Sequence, residues 1–510
     1  MNKNKKAVVI GSGFGGLSSA LMLQANGYET IIVEALDIPG GRGRVFRVKD
    51  YEFEAGPTVV TAPELLEEVY AKAGLNFDEE IELLETTPFY DLFWEDGTHM
   101  HYYGEEKLLL DEIMKISPED VENYSKFYDQ TCKIYKKGFD ELVREPFLNY
   151  FDFVKQLPNL AYLRADRSVF NLAKKYFKND KLRQAFSFHS LLLGGNPTTT
   201  TSIYALIHAL ERKEGVFYVK GGTHVLIENM LDNFKKMSGE IVYNQSVVEI
   251  LVDNQEIKGV KLSDGSIIET DIVVSNADIT KTYLEMLPNN VKKDYDKKWF
   301  GKKKYTPSLF VTYFATNREY KDLAHHSVVF GGRYEEMLKD IYEPNNILTD
   351  DFSLYLHAPK RSDNSRAPDG HEMFYVLSVV PNLKSLDNWE EIKTEYQNKI
   401  LKSLEDRQII PNLFDHLEFA ESFTPNDFES VLQSQHGSAF SLQPTLFQSG
   451  PFRPMNKSKM IKGLYFTGAG TQPGAGIPGT IASGLITTNL IFNDNPSIKI
   501  IENLKNKITK

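Results

Sequence analysis

Two stretches in this chain leave the backbone bare enough for a cofactor to approach it. The first is Gly11, Gly13 and Gly16, spaced G-x-G-x-x-G inside KKAVVIGSGFGGLSSALMLQANGYETIIVEA. Such spacing suits a dinucleotide diphosphate. The first glycine permits a tight turn, the second a close approach, and the third close packing of helix on strand, with the helix N-terminus aimed at the phosphates. Gly15 lies inside the same turn. Glu34 follows 23 residues after Gly11, where a carboxylate can accept hydrogen bonds from ribose hydroxyls. The second stretch is GAGTQPGAGIPG, residues 468–479, which carries no charge. A third set, DIPGGRGRV, places Gly40 and Gly41 beside Arg42 and Arg44 and so joins an approachable backbone to positive charge. One acid/base pair is available in the aromatic stretch 144–170. Asp152 and Lys155 would share a face if that segment is helical, although a surface ion pair fits the same spacing.

Elements must hold these groups in place. The apolar run 6–10 predicts a buried strand, Leu17 to Gln24 a helix, and Tyr28 to Glu34 a second strand. Together with the glycine spacing they form a strand–turn–helix–strand unit. Near the other end, residues 464–467 predict a strand, and a helix starts at about Gly479 after Pro478. Residues 88–105 predict a hairpin about Asp96-Gly97, with His99 and His101 on one face of its second strand. Two histidines without further Cys or His partners do not make a metal site, and no metal is expected. Residues 106–214 turn helical, short strands fill 239–278, and 291–449 alternate strands and helices. The expected division is 1–105, 215–290 and 450–495 for a nucleotide-binding domain, with 106–214 and 291–449 as inserted regions and 496–510 as a tail.

Composition narrows the classes. A chain of 510 residues calls for two or three lobes. The net charge of −12 argues against nucleic acid as a partner. One cysteine, Cys132, rules out an internal disulfide framework and suits a reducing compartment. No run of 18 apolar residues is present, and the apolar run after the basic N-terminus is too short for a signal segment.

The segments GGR, AGPTVV, GGNP, GVFYVKGGTH, TPNDFE, GSAFSLQPTL and GAGTQPGAGIPG, added to the first glycine loop, resemble the bacterial-type carotenoid desaturases over nearly the whole chain. That group belongs to the FAD-dependent amine oxidase-like superfamily. It contains phytoene, dehydrosqualene and hydroxycarotenoid 3,4-desaturases. The resemblance implies an α/β fold, a Rossmann-like FAD-binding domain with an inserted α+β substrate domain. It implies FAD as cofactor, touched by Gly11, Gly13, Gly15, Gly16, Glu34, Gly41, Arg42, Pro57, Thr58, Val248, Gly468, Ala469, Gly476, Ile477, Gly479 and Thr480. Val247 and Val248 would cover the adenine, or else simply pack the sheet. Gln472 and His436 are expected on the substrate side. Gln472 stands where many relatives carry His, and this tilts the expectation slightly toward a hydroxylated carotenoid over phytoene. A carotenoid isomerase or oxygenase and a prenyl-chain escort protein are the alternatives. The expected partners are a carotenoid, a lipid bilayer surface and an electron acceptor, oxygen or quinone. The expected location is cytoplasmic, peripheral to the inner membrane, through the aromatic stretch 144–170 or the tail 496–510.

Overall fold

The computed structural model describes residues 5–149, 154–386 and 388–495. Two sheets organise the chain. The first is parallel and five-stranded, in the order Leu464–Phe466, Ile272–Ser275, Lys6–Ile10, Glu29–Val33, Glu240–Val242. Its central strand, Lys6–Ile10, buries every residue after Lys6. A continuous Ala-Val-Val-Ile run suits a strand covered on both faces. One face packs against the helices Phe14–Ala25 and Ile477–Asp494, the other against the antiparallel strands Val247–Asp253 and Glu256–Leu262. The two helices approach closely because Gly484 faces Ser18; a Cβ there would lie 2.9 Å from the Ser18 Cβ.

The second sheet has seven strands, in the order Leu417–Phe423, Ser308–Thr316, Glu372–Val380, Leu354–His357, His326–Val329, Tyr90–Phe93, His99–Tyr102. All neighbours are antiparallel except His326–Val329 beside Tyr90–Phe93. Strand Ser308–Thr316 is buried throughout. Phe310 and Phe314 pack toward the helix Trp389–Asp406, while Leu309, Val311 and Tyr313 pack on the opposite side, as the two-residue period requires.

The predicted hairpin forms, but it belongs to this second sheet and not with the nucleotide-binding strands, so residues 90–102 leave the expected 1–105 segment. Sequence alternation fixes a strand's faces but not which sheet receives its edge. The first helix starts at Phe14, three residues before the expected Leu17, so the glycine loop is its first turn. The last helix starts at Ile477, with Pro478 in its first turn. Among the described residues no helix is long and apolar enough to cross a membrane.

Candidate functional site

The first glycine loop leaves strand Lys6–Ile10 at Gly11, whose φ of +87° favours glycine. At Gly16 a Cβ would lie 2.0 Å from the Gly11 carbonyl oxygen, so only glycine lets the helix close on the strand. At Gly15 a Cβ would meet Thr467 Oγ1 at 2.8 Å and both Asn276 Oδ1 and the Gly468 nitrogen at 2.9 Å. The two bare stretches, far apart in the chain, therefore abut across Asn276. Glu34 is buried beside them, accepting from Ser12 N at 2.8 Å, Ser12 Oγ at 2.5 Å and Leu36 N at 3.0 Å.

The Gly40–Gly43 turn carries the next charge. The Arg42 guanidinium donates through Nη2 to Ser434 Oγ at 2.6 Å, while its Nε is buried without a protein partner. Burial pulls the Arg42 pKa down, opposed by the nearby Asp278 carboxylate. The strand after this turn leads to Ala55–Thr58, which tyrosines of the large sheet hold. Tyr313 donates to the Ala55 carbonyl at 2.8 Å and Tyr375 to the Gly56 carbonyl at 2.9 Å, with Thr58 Oγ1 2.7 Å from the Tyr375 hydroxyl.

The second bare stretch is pinned from behind by Arg453, which is 1% exposed. Its guanidinium donates to the carbonyls of Ala469 at 2.6 Å, Thr471 at 3.0 Å and Leu442 at 3.2 Å. Burial lowers its pKa, with the Tyr204 hydroxyl opposing. The sequence reading named neither Arg453 nor Asn276. Each acts across a contact between distant segments, and neither sits in a spaced motif.

One cavity of about 580 Å³ joins these parts. At one end lie Gly11–Gly15, Glu34, Gly40–Gly43, Gly56–Thr58 and the 468–480 stretch. At the other lie apolar side chains of the large sheet and the helical region, among them Leu309, Val311, Phe330, Met337 and Leu377. Buried polar groups interrupt that wall, among them His189 and Glu211, with His189 Nε2 3.0 Å from Glu211 Oε2 and the Tyr90 hydroxyl donating to Glu211 at 2.7 Å. The cavity also reaches the surface, since Glu145, Gln156, Leu160 and Leu446 line it and are partly or fully exposed.

Of the expected cofactor residues, Gly11, Gly13, Gly15, Glu34, Gly41, Arg42, Pro57, Thr58, Gly468, Ala469, Gly476, Ile477, Gly479 and Thr480 all line this cavity. Gly16 lies behind it, where it packs helix on strand. Val248 does not line it. It is 47% exposed and occupies a register shift between Val247 and Glu249, so that Val247 turns inward in its place. His436 is also displaced. It sits in a left-handed turn (φ +57°) against the Tyr305 ring, away from the cavity lining. Lys155 is exposed and off the cavity, and Asp152 lies outside the described residues.

Gln472 lines the cavity, but its amide is taken up by the backbone. Its Oε1 accepts from Phe147 N at 2.9 Å, and its Nε2 donates to the carbonyls of Phe147 at 3.2 Å and Gly450 at 3.1 Å. The side chain thus clips the 144–149 segment to the second bare stretch. Replacing Gln472 by leucine removes three such bonds from a buried site. It is expected to destabilise the fold by about 2 kcal/mol and to speed proteolysis near Phe147. Denaturant titration and limited proteolysis would read both, and an unchanged midpoint would refute the clip.

The folded chain also assembles three buried histidines that the sequence reading did not collect. His326 and His357 stand opposite each other on neighbouring strands, and His325 precedes His326. His99 and His101, singled out from the sequence, instead share Asp91 at 3.4 and 2.6 Å on the sheet edge.

Sheet order, glycine geometry and cavity define a dinucleotide-binding oxidoreductase fold with a large apolar annex. Residues 14–491 match the family model described as flavin containing amine oxidoreductase, and the chain belongs to that family. A redesigned putrescine oxidase shares the fold, with a TM-score of 0.66 at 13% identity, covering 96% of this chain and 99% of that one. The chain is 43% identical over 491 residues to a lycopene-forming phytoene desaturase of Pantoea ananas, covering 96% of this chain and 99% of the relative. It is 40% identical to a neurosporene-forming phytoene desaturase of Rhodobacter capsulatus, covering 96% and 95%. Within the family it falls among the bacterial carotenoid desaturases, and it is an FAD-dependent oxidoreductase.

Proposed function

We propose that this protein desaturates phytoene, a long apolar polyene, in successive steps. The observation that carries the reading is the cavity that joins the glycine loops to an apolar wall. The residues present suit FAD. Side-chain-free backbone lies where a diphosphate would rest, the Arg42 Nε is buried without a partner, and Glu34 is held where ribose hydroxyls would reach it. FAD, when bound, supplies a two-electron acceptor for a hydride.

The protein's own work is holding and shielding. Gly11, Gly13 and Gly15 would take the diphosphate, Arg42 would offset its charge, and the Ile477 helix N-terminus would favour negative charge at the flavin end. Leu309, Val311 and Leu377 would align the polyene and exclude water, so that positioning supplies most of the rate. No acid/base role is assigned to Lys155, which faces solvent. The tilt toward a hydroxylated carotenoid rested on Gln472, whose amide the fold already occupies. The test is direct. FAD-loaded protein in liposomes is offered phytoene or a 1-hydroxylated carotenoid, and product spectra are recorded. Lengthened conjugation from phytoene is expected. Turnover of the hydroxylated carotenoid alone would overturn the reading, and a changed geometry at constant hydrogen count would mark an isomerase.

We further propose that the cavity mouth rests on a bilayer on the cytoplasmic side, with quinone or oxygen as final acceptor. Supporting this, Tyr162 and Phe447 are each 71% exposed and Val154 53%, close in sequence to the mouth residues Gln156, Leu160 and Leu446. Exposed aromatic side chains of this kind anchor interfacial proteins. The double variant Tyr162→Ser, Phe447→Ser should lose vesicle binding in a flotation assay while retaining FAD. Undiminished flotation would refute this face.

A further inference from the structure

Removing two hydrogens from adjacent carbons breaks two C–H bonds and forms one C=C bond. On the reading above, bound FAD would supply the hydride acceptor, and one proton would remain in a cavity with an apolar wall. Burying an uncompensated charge there is costly, so the proton needs a way out.

Behind that wall lies a line of tyrosine and histidine side chains. Thr58, Tyr355 and Tyr375 line the cavity. The Tyr375 hydroxyl donates its only proton to the Gly56 carbonyl, so Thr58 Oγ1 donates to Tyr375. The Tyr355 hydroxyl is left with two neighbours, Thr58 Oγ1 at 3.3 Å and His326 Nδ1 at 2.6 Å, and its proton can point to either. His326 Nε2 and His357 Nδ1 are both buried without a protein partner, on rings whose centroids are 5.7 Å apart. Beyond them His357 Nε2 lies 2.9 Å from His325 Nε2, and His325 Nδ1 lies 2.7 Å from Ser362 Oγ. Ser362 is partly exposed. The line therefore starts at the cavity and ends at the surface, and its one break falls between two ring nitrogens that each lack a partner.

We propose that Tyr355, His326, His357 and His325 pass the substrate-derived proton from the cavity to the surface at Ser362, with one water bridging His326 Nε2 and His357 Nδ1. The Tyr355 oxygen takes one proton as it gives its own to His326, and each imidazole takes a proton on one nitrogen as it gives one from the other, so one proton enters at Tyr355, one leaves at Ser362, and nothing is oxidised along the way. Burial holds all three imidazoles in the neutral form, which has both a donor and an acceptor, and the Arg366 charge adds to this at His357. The same burial makes a water with polar partners on both sides favourable. A tetrahedral zinc ion suits the cluster less well. Two imidazole nitrogens bound tetrahedrally to one zinc stand about 3.3 Å apart, whereas those of His325 and His357 are 2.9 Å apart. Arg366 also places a positive charge nearby.

The test uses Tyr355→Phe, which removes one hydroxyl, and His326→Gln. FAD-loaded protein in liposomes is mixed anaerobically with phytoene, and flavin bleaching is followed in H₂O and D₂O beside a pH-indicator dye. In the unaltered protein the dye signal should accompany bleaching. In both variants bleaching should slow about tenfold, the solvent isotope effect should rise, and the dye signal should lag, with FAD content unchanged. A second readout needs neither flavin nor substrate. In ¹⁵N-histidine-labelled, flavin-free protein, Tyr355→Phe should shift the tautomer balance of His357, which it does not touch. If the unaltered protein bleaches with no carotenoid, the proposed function fails while the nitrogen spectra still test the path. Native bleaching rates and isotope effects in a folded variant, an unmoved His357 signal, or one equivalent of transition metal bound by the three rings would each overturn the proposal.

Discussion

Replacing Gly16 by alanine is expected to leave the protein without FAD after gel filtration. The new Cβ would sit 2.0 Å from the Gly11 carbonyl oxygen, 3.2 Å from the Gly11 carbonyl carbon and 3.3 Å from the Asn276 Cβ. Two of these are backbone atoms, so no side-chain rotation relieves the clash. The helix Phe14–Ala25 must move off strand Lys6–Ile10 by roughly 1 Å or more to bring the new Cβ toward an ordinary non-bonded separation of about 3.5 Å. That shift carries Ser12 away from Glu34, and Gly15 away from Asn276 and Gly468. Overpacking of this kind costs about 1–3 kcal/mol of stability. Displacing a diphosphate cradle by as much is expected to weaken FAD about 100-fold, which corresponds to nearly 3 kcal/mol. The flavin-to-protein ratio by absorbance measures it. Gly265→Asn is the control, a left-handed turn position with no atom within 4 Å of a new Cβ. A full complement of FAD in Gly16→Ala would refute the role given to this turn.

Mild acid is expected to unfold the protein steeply. Burial drives His208, His325 and His357 well below the usual histidine range and His326 down to about 3. In the unfolded chain each would titrate near 6.5. Above that pH all four are neutral in both states and cost nothing. As the pH falls through 6.5 the unfolded chain takes up protons that the folded chain refuses, so stability is lost. The loss is about 1.4 kcal/mol per histidine for each further pH unit. Four together remove nearly 6 kcal/mol, about 1.4 each, by pH 5.5, comparable to the whole stability of many domains. Glu372 and Glu64 work in the opposite direction, because burial raises the pKa of each despite their pairs with Arg361 and Arg144, but they are two groups against four. Thermal melts from pH 7.5 to 5.0 should show a flat plateau and then a steep fall beginning near 6.5. Equal melting temperatures at pH 7 and 5.5 would contradict neutral burial of these rings.

The nucleotide-binding unit was legible because its signal is local. Gly11, Gly13, Gly16, the flanking apolar runs and Glu34 lie within one strand–helix–strand segment, and each residue type has one physical reason to be there. The 468–480 stretch was legible for a similar reason, since bare backbone before a helix has few other uses. The predictions that failed depended on which way a side chain turns. Val248 and Val247 are equally apolar, and a register shift between neighbouring strands decided which faces the cavity. His436 and Lys155 lay in stretches of the right character, yet a left-handed turn and an exposed surface removed them.

By itself the sequence determined the fold class, the bare backbone of both glycine stretches and the family. The glycine stretches follow from spacing and periodicity, which act within a few residues of chain, and the fold class and family follow from the resemblance that the quoted segments carry. Only the tertiary structure decided that the two stretches meet across Asn276, that Arg453 and Gln472 serve as ties, and that His325, His326 and His357 stand together behind Thr58 and Tyr355. Those contacts join residues tens to hundreds of positions apart. They arise from strand register and sheet order, which depend on the packing of the whole chain and leave no pattern in any short stretch of it.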